Sequence, residues 1–297
     1  MVLISFENLK SVLEKYKERE TKASFIEGLS ATFRRNLKII WQYKFSIVMG
    51  FVTNIVVFSL FFYVAQLVPG MQITQDYYTI DSVSFIFAGV LLVEISTRTL
   101  AKSLNSFTSE MKQGTFETLA TLPFGLKRYF ISEISFEMCY SLIISIIYFI
   151  PVLLIFPVFE TLSLSFFSIM SLLLIALCCI LVFFSLSLVA ANFTILVKRG
   201  REITLVIIGI INLLSGSLFP LDLFPKWLQI IAYFSPFTIA LRAFRLCLFG
   251  NGTLTDSIVW ISIVVLIISS ILFFVLFHFT FKKIYRRIRT IGSTAEY

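Results

Sequence analysis

The chain has 297 residues, 58% of them apolar and 14% charged, with a formal net charge of +8 at pH 7. A soluble domain carries about 25% charged residues, so a single water-surrounded core cannot absorb this much apolar surface, and a soluble globular protein is excluded. The apolar residues come in runs of about 20 or more, which at about 1.5 Å per residue cross a hydrocarbon layer of roughly 30 Å, and the alternating ten-residue segments of a β-barrel are absent.

Residues 1–44 read as an interfacial preface in two helical pieces. Leu3, Phe6, Leu9, Leu13 and Tyr16 recur at helical spacing, and Phe25, Leu29, Phe33, Leu37 and Trp41 repeat every fourth residue with Arg34, Arg35 and Lys38 on the other side. The second piece is expected to lie in the headgroup plane with its cations among lipid phosphates, or else to dock on a soluble partner. No apolar block with a small-residue cleavage site opens the chain, so the first span is expected to insert as an uncleaved signal.

The transmembrane region is read as residues 45–281. The first span covers Phe45 to Val68 and stops at Pro69-Gly70; the second runs from Asp81 to Ser103. Residues 104–129 turn polar and are expected to form an exposed loop holding a short helix. The third span covers Phe130 to Phe156, and the run from Leu162 to Val197 is longer than one crossing needs, so the fourth helix is expected to tilt or to project. After the basic turn Lys198-Arg199-Gly200-Arg201, a short fifth span covers Ile203 to Leu218 and breaks at Phe219-Pro220. Within residues 219–255 the half-apolar stretch Leu221 to Phe249 contains Pro225 and Pro236, each lacking a backbone donor and restricting the residue before it. It is read as helices that dip into the interface and return on the same side. The sixth span, Ser257 to Phe281, precedes a basic tail, residues 282–297.

Cations set the expected orientation. With the preface, the second loop, the basic turn and the tail inside, twenty Lys and Arg lie inside and only Lys226, Arg242 and Arg245 outside, which places both termini in the cytoplasm of a multi-pass cell-membrane protein. Attraction to anionic lipid accounts for the positive charge without nucleic acid. The expected fold class is therefore an all-α integral membrane protein of six spans.

Little in the chain resembles an enzyme. No Gly-rich phosphate loop ending in Lys-Ser or Lys-Thr is present. A single histidine, His278, leaves no Ser-His-Asp or Cys-His constellation to assemble, and Cys139, Cys178, Cys179 and Cys247 lack metal-ligand spacing and read as small buried hydrophobes. His278 is expected to be satisfied or to snorkel. Glu94 and Arg98 stand four apart on the second span, a pair that serves as a gate latch or substrate contact on one reading and as structural packing on the other. Asn54, Asn192 and Asn212 are candidate interhelical hydrogen-bonders.

The loop segment from Glu110 to Pro123 is the most informative. It reads as an amphipathic helix between two spans, stopped by Pro123 and shaped to insert into a groove on a soluble partner, or as an ordinary solvated loop. Gly114, Glu117, Leu119 and Pro123 resemble, position by position, the Gly-x-x-Glu-x-Leu-x-x-x-Pro coupling segment of the type-2 ATP-binding cassette (ABC) exporter permeases. A second resemblance to that family lies in Ser215-Gly216, Phe219-Pro220, Pro225, Trp227-Leu228, Ile231-Ala232 and Pro236, the pattern of its re-entrant segment before the last span. The order of elements matches along essentially the whole chain. The resemblance implies one half of a transmembrane pore, paired with a second identical or different permease chain and driven by a separate ATPase subunit that binds ATP and Mg. Glu110, Lys112, Thr115 and Glu117 are then the expected contacts with that subunit. An ATP-independent secondary carrier or channel is the alternative, and a membrane anchor or assembly factor a third reading that leaves the loop unexplained.

Overall fold

The structure, a computed structural model, describes residues 25–66, 72–75, 78–113, 125–155, 162–163, 165–197 and 200–291. In chain order these form α1 (Phe25–Gln42), α2 (Lys44–Gln66), β1 (Gln72–Gln75), β2 (Tyr78–Asp81), α3 (Ser82–Lys112), α4 (Leu126–Ile155), α5 (Phe166–Val197), α6 (Gly200–Leu214), a 3-10 turn (Leu221–Leu223), α7 (Lys226–Phe234), α8 (Pro236–Phe249) and α9 (Ser257–Ile291). The expected helix over residues 3–16, the Pro69-Gly70 stop and the coupling residues Gly114, Thr115, Glu117, Leu119 and Pro123 lie outside the described residues.

Five helices, α2, α3, α4, α5 and α9, are long and apolar enough to cross a membrane. They form a bundle with two distinct ends. At one end α1 meets the start of α4 through Arg35 and Tyr129, and the start of α4 meets the last part of α9, where Lys127 Nζ lies 3.1 Å from His278 Nδ1 and Phe130 packs edge-on against Phe281. Both described ends of the chain therefore lie at the same end of the bundle. α6 stands where the sequence places a fifth span, but its apolar part, Leu205–Leu214, is too short to span alone, and the bent pair α7–α8 makes a sixth apolar segment of spanning length only if taken as one span. The sequence places the end of the fifth span at Leu218. α6 instead stops at Leu214, about 22 Å from its start, because Ser215 to Ser217 turn away and Gly216 adopts φ 66°.

The opposite end carries an unforeseen feature. β1 and β2 form an antiparallel hairpin with Gln72 opposite Asp81, a short unexpected addition to a structure that is otherwise the all-α bundle expected. Ile80 of β2 is buried with Phe85 and Phe249. Asp81 closes the hairpin and caps α3, its carboxylate accepting from the Ser84 N–H at 3.2 Å, which satisfies a donor that a helix start leaves open.

The second span was expected to end at Ser103 and hand over to a loop. α3 instead runs 31 residues to Lys112, so Glu110 and Lys112 sit on the end of a spanning helix. Leu100, Leu104 and Met111 continue its apolar face and are buried, while Asn105, Ser109 and Glu110 occupy the other side. A polar average hid a helical period that never stops.

α7 and α8 are bent by 79° about Ser235. Pro225 precedes the first residue of α7, and Pro236 opens α8, the position where a missing N–H costs least. The bend is buried: Phe237 stacks on Phe183 of α5 at 4.9 Å, and Thr238 donates to the Leu214 carbonyl at 2.6 Å. α8 then returns to the hairpin end, where Leu248 O accepts from Ser163 N at 3.0 Å.

Buried side-chain hydrogen bonds tie the bundle where apolar packing alone gives no direction. Asn192 of α5 donates from Nδ2 to Phe277 O at 3.2 Å and Thr280 Oγ1 at 2.8 Å on α9, as an interhelical role predicts. Asn54 does not fill that role: its Nδ2 bonds Gly50 O of its own helix at 2.8 Å. Asn212 is exposed on α6, where its carbonyl accepts from Ser215 and Ser217. Asn192→Ala is expected to lower unfolding stability by about 1 kcal/mol, measured by denaturant titration in detergent micelles, whereas Asn212→Ala leaves stability within error.

Candidate functional site

The site at the N-terminal end begins with α1, which turns Phe33 edge-on to Phe136 of α4 but exposes the later part of its apolar stripe. Leu37 and Trp41 of its apolar stripe are 56% and 73% exposed, whereas Thr32 and Asn36 are buried. A helix that shows apolar residues to lipid and turns polar ones inward suits a membrane setting, because hydrocarbon offers no partner to a polar group. Arg35, expected among lipid phosphates, belongs to the inward side.

Arg35 gathers three helices. Its Nη1 donates to Glu110 Oε1 of α3 at 3.3 Å, and its Nη2 donates to Tyr129 Oη at 3.1 Å and Glu133 Oε2 at 3.0 Å, both on α4. Its ring-facing side lies 5.5 Å from the Tyr129 centroid. Asn36 Nδ2 adds a 3.0 Å bond to Glu133 Oε2, and Tyr129 Oη donates to Glu110 Oε1 at 3.1 Å. Glu133 is only 2% exposed, a burial that a carboxylate tolerates when charge-assisted bonds replace its water. Burial works to lower the Arg35 pKa, but Tyr129, Glu133 and Glu110 together outweigh it and hold the guanidinium above its ordinary value.

This junction closes one side of an open cleft of about 470 Å³ between α1, α3 and α4, lined also by Asn105, Ser109, Glu137 and Tyr140. From the cleft a polar seam continues toward the bundle interior. On α3 the positions Glu94, Arg98, Asn105 and Ser109 share a face, as do Glu133, Glu137, Tyr140 and Tyr148 on α4. Arg98 pairs with Glu94, and its guanidinium lies 5.0 Å from the Tyr148 ring. Tyr148 Oη then donates to Ile47 O of α2 at 2.9 Å, and Gly50 leaves the space that the phenol fills. The Glu94–Arg98 pair is thus built into the α2–α3–α4 contact, about 24 Å along α3 from Glu110.

The residues of the second predicted motif are spread from the turn after α6, which Arg245 ties to Phe85 near the hairpin, to the buried start of α8 at Pro236. Gly216 has φ 66° and Cβ space limited by Leu221 at 3.0 Å, so only glycine suits the turn. Pro220 precedes the 3-10 turn, and Phe219 and Trp227 are exposed. The structure does not bring this motif near Glu110 and Lys112: α3 connects the two groups across the bundle. Among the residues on the junction, Glu133 and Asn36 went unnoticed in the sequence. Their signals were a carboxylate pair four apart, Glu133 and Glu137, opening a span, and polar residues opposite the Phe25–Trp41 stripe. Arg245 was noticed only as an exterior cation; it is 2% exposed.

Breaking the junction at Arg35 removes the charge-assisted bond of the buried Glu133 and leaves it the bond from Asn36. Arg35→Met is expected to cost about 2 kcal/mol of stability, less than a fully buried pair because Arg35 is partly solvated. Adding Glu133→Gln restores most of it, and a denaturant double-mutant cycle checks both statements.

Known proteins bear on this architecture in one respect. The family model described as ABC-2 type transporter matches residues 27–249, a region that starts within α1 and ends at the last residue of α8. No curated protein matches the chain. A bundle of long apolar helices together with that match over most of the sequence identifies the chain as a member of the ABC-2 type transporter family, the membrane permease component of an ABC transporter.

Proposed function

We propose that this permease forms half of a dimeric export pathway whose energy comes from a separate ATPase subunit, and that the 113–125 connection is the lever this subunit pushes. The observation that carries the reading is the junction around Arg35. It fixes the end of α3 and the start of α4 to each other and to α1, so the two ends of the segment between them are held on one rigid base. A push on that segment moves three helices together instead of folding a loose loop.

The N-terminal end is assigned to the cytoplasm of the cell membrane, since the preface, residues 104–129, the turn after α5 and the basic tail hold twenty of the 25 Lys and Arg. Lys112, Thr115 and Glu117 supply contacts with the ATPase, while Gly114, Leu119 and Pro123 set the shape of the segment. Glu110 contributes by holding Arg35 and Tyr129. ATP and Mg bind on the ATPase subunit, consistent with a chain that carries no phosphate loop. Dimerisation is supported by α2, of whose span only 6% is buried, against 50% for α3 and α5. Exchange between inward-open and outward-open arrangements then follows from tilting the spans, and the polar seam offers a wetted surface inside an otherwise apolar bundle.

The test is a charge reversal on the segment between α3 and α4. Glu117→Arg is expected to abolish co-purification of the ATPase with the membrane-extracted chain, while Glu117→Gln retains it. A Glu117→Arg variant that still brings down the ATPase at the wild-type ratio contradicts the assignment.

A further inference from the structure

Arg245 lies at the far end of α3 from the Arg35 junction. We propose that Arg245 is a positioning residue that clamps the α7–α8 pair to α3, so that displacement of the Glu110 end of α3 is transmitted through the helix to the opposite face of the bundle. The proposal rests on the reading of the chain as an ATPase-driven permease.

The clamp is explicit in the geometry. Arg245 Nη2 donates to three carbonyls: Phe85 O of α3 at 3.0 Å, Gly216 O at 3.2 Å and Ser217 O at 3.1 Å. Its Cζ lies 3.4 Å from the centroid of the Phe85 ring, close enough for a desolvated cation–π attraction. One side chain of α8 thereby joins the first turn of α3 to the turn that ends α6. Gly89, one helical turn beyond Phe85 on the same face, makes the approach feasible. A Cβ there would collide with Ser217 O and sit 2.9 Å from Arg245 Nη2.

Energetics explain why this contact transmits displacement. A buried guanidinium is tolerated only while polar groups replace its hydration shell, and here those groups come from separate elements. Sliding α3 relative to α8 would strip Phe85 O and the ring from the cation, so the low-energy response to a movement of α3 is for the α6 turn and α8 to follow. α3 itself is a 31-residue helix without proline, and its backbone hydrogen bonds make it a stiff connector between Glu110 and Phe85. The β-hairpin adds no competing anchor, since Ile80 packs on the same Phe85 and Phe249.

Hydrogen exchange on the chain purified with its ATPase in lipid nanodiscs reads both ends at once, with and without ATP plus vanadate. In the wild-type complex, nucleotide is expected to change exchange in peptides covering 105–113 and also in those covering 215–219 and 238–249. In Arg245→Met the response at 105–113 persists, the response at 215–219 and 238–249 is lost, and basal exchange at 215–219 rises by about tenfold or more, as loss of bonds to a charged donor implies. Arg245→Lys, which keeps the charge but loses the planar fork, restores part of the distal response. Gly89→Ala, whose Cβ pushes on both Ser217 O and Arg245 Nη2 while leaving the Arg245 side chain in the sequence, reproduces the Arg245→Met pattern and carries the comparison if that variant does not fold. A residue needed only for stability would raise basal exchange and leave the nucleotide response in place. That result, or a wild-type complex in which 105–113 responds and the distal peptides do not, overturns the clamp. No response at either end of the wild-type complex instead overturns the ATPase-driven reading and the clamp with it.

Discussion

Hydrocarbon cannot hydrate a polar group, and the placement of every ionisable residue in this bundle follows from that. Two guanidinium groups occupy opposite ends of α3, and each is held by partners drawn from more than one helix. Arg35 takes Glu110, Tyr129 and Glu133; Arg245 takes backbone carbonyls and an aromatic face. Removing either leaves buried acceptors that lipid does not satisfy, so the helices that supply them are bound to each other far more specifically than apolar packing alone would bind them. Between these ends, apolar side chains fill the space and leave the axial positions of the helices to be fixed by polar contacts.

That division explains the orientation of α1. Thr32, Arg35 and Asn36 turn inward beside Phe33, which packs on Phe136, while Leu37 and Trp41 are exposed. It also explains the seam. Glu94, Arg98, Glu137 and Tyr140 are tolerated because α3 and α4 present polar faces to one another, with Tyr148 reaching across to the α2 backbone. In the proposed transporter, the junction makes the cytoplasmic end of three helices a single body, and α3 carries its motion to the far side. The seam lies along the same helix, so a displacement that opens the bundle acts first on its most polar surface.

The spans were legible in the sequence because a bilayer demands long apolar runs, and five of them stand as helices of the expected type. Pro225 announced the start of α7 and Pro236 the break between α7 and α8 for a reason that is local: each cannot continue a hydrogen-bonded helix from the preceding residue. What could not be read was equally physical. The extension of α3 past Ser103 was hidden because Asn105, Ser109 and Glu110 look like a loop until Leu104 and Met111 are seen to face the core. The β-hairpin is made by Gln72 to Asp81, a polar stretch whose pairing depends on Ile80 finding Phe85 and Phe249. Arg35 and Arg245 looked like solvated cations, because nothing local signals that carboxylates 75 and 98 residues away, or carbonyls 160 and 28 residues away, will surround them.

The central claim is that this permease presents the connection between α3 and α4 to the cytoplasm, where another subunit can push it. A single cysteine at position 117, with the four native cysteines replaced by alanine, tests it by labelling with a membrane-impermeant maleimide. The account predicts no labelling in intact cells and full labelling in inside-out membrane vesicles. Labelling from outside intact cells would contradict it.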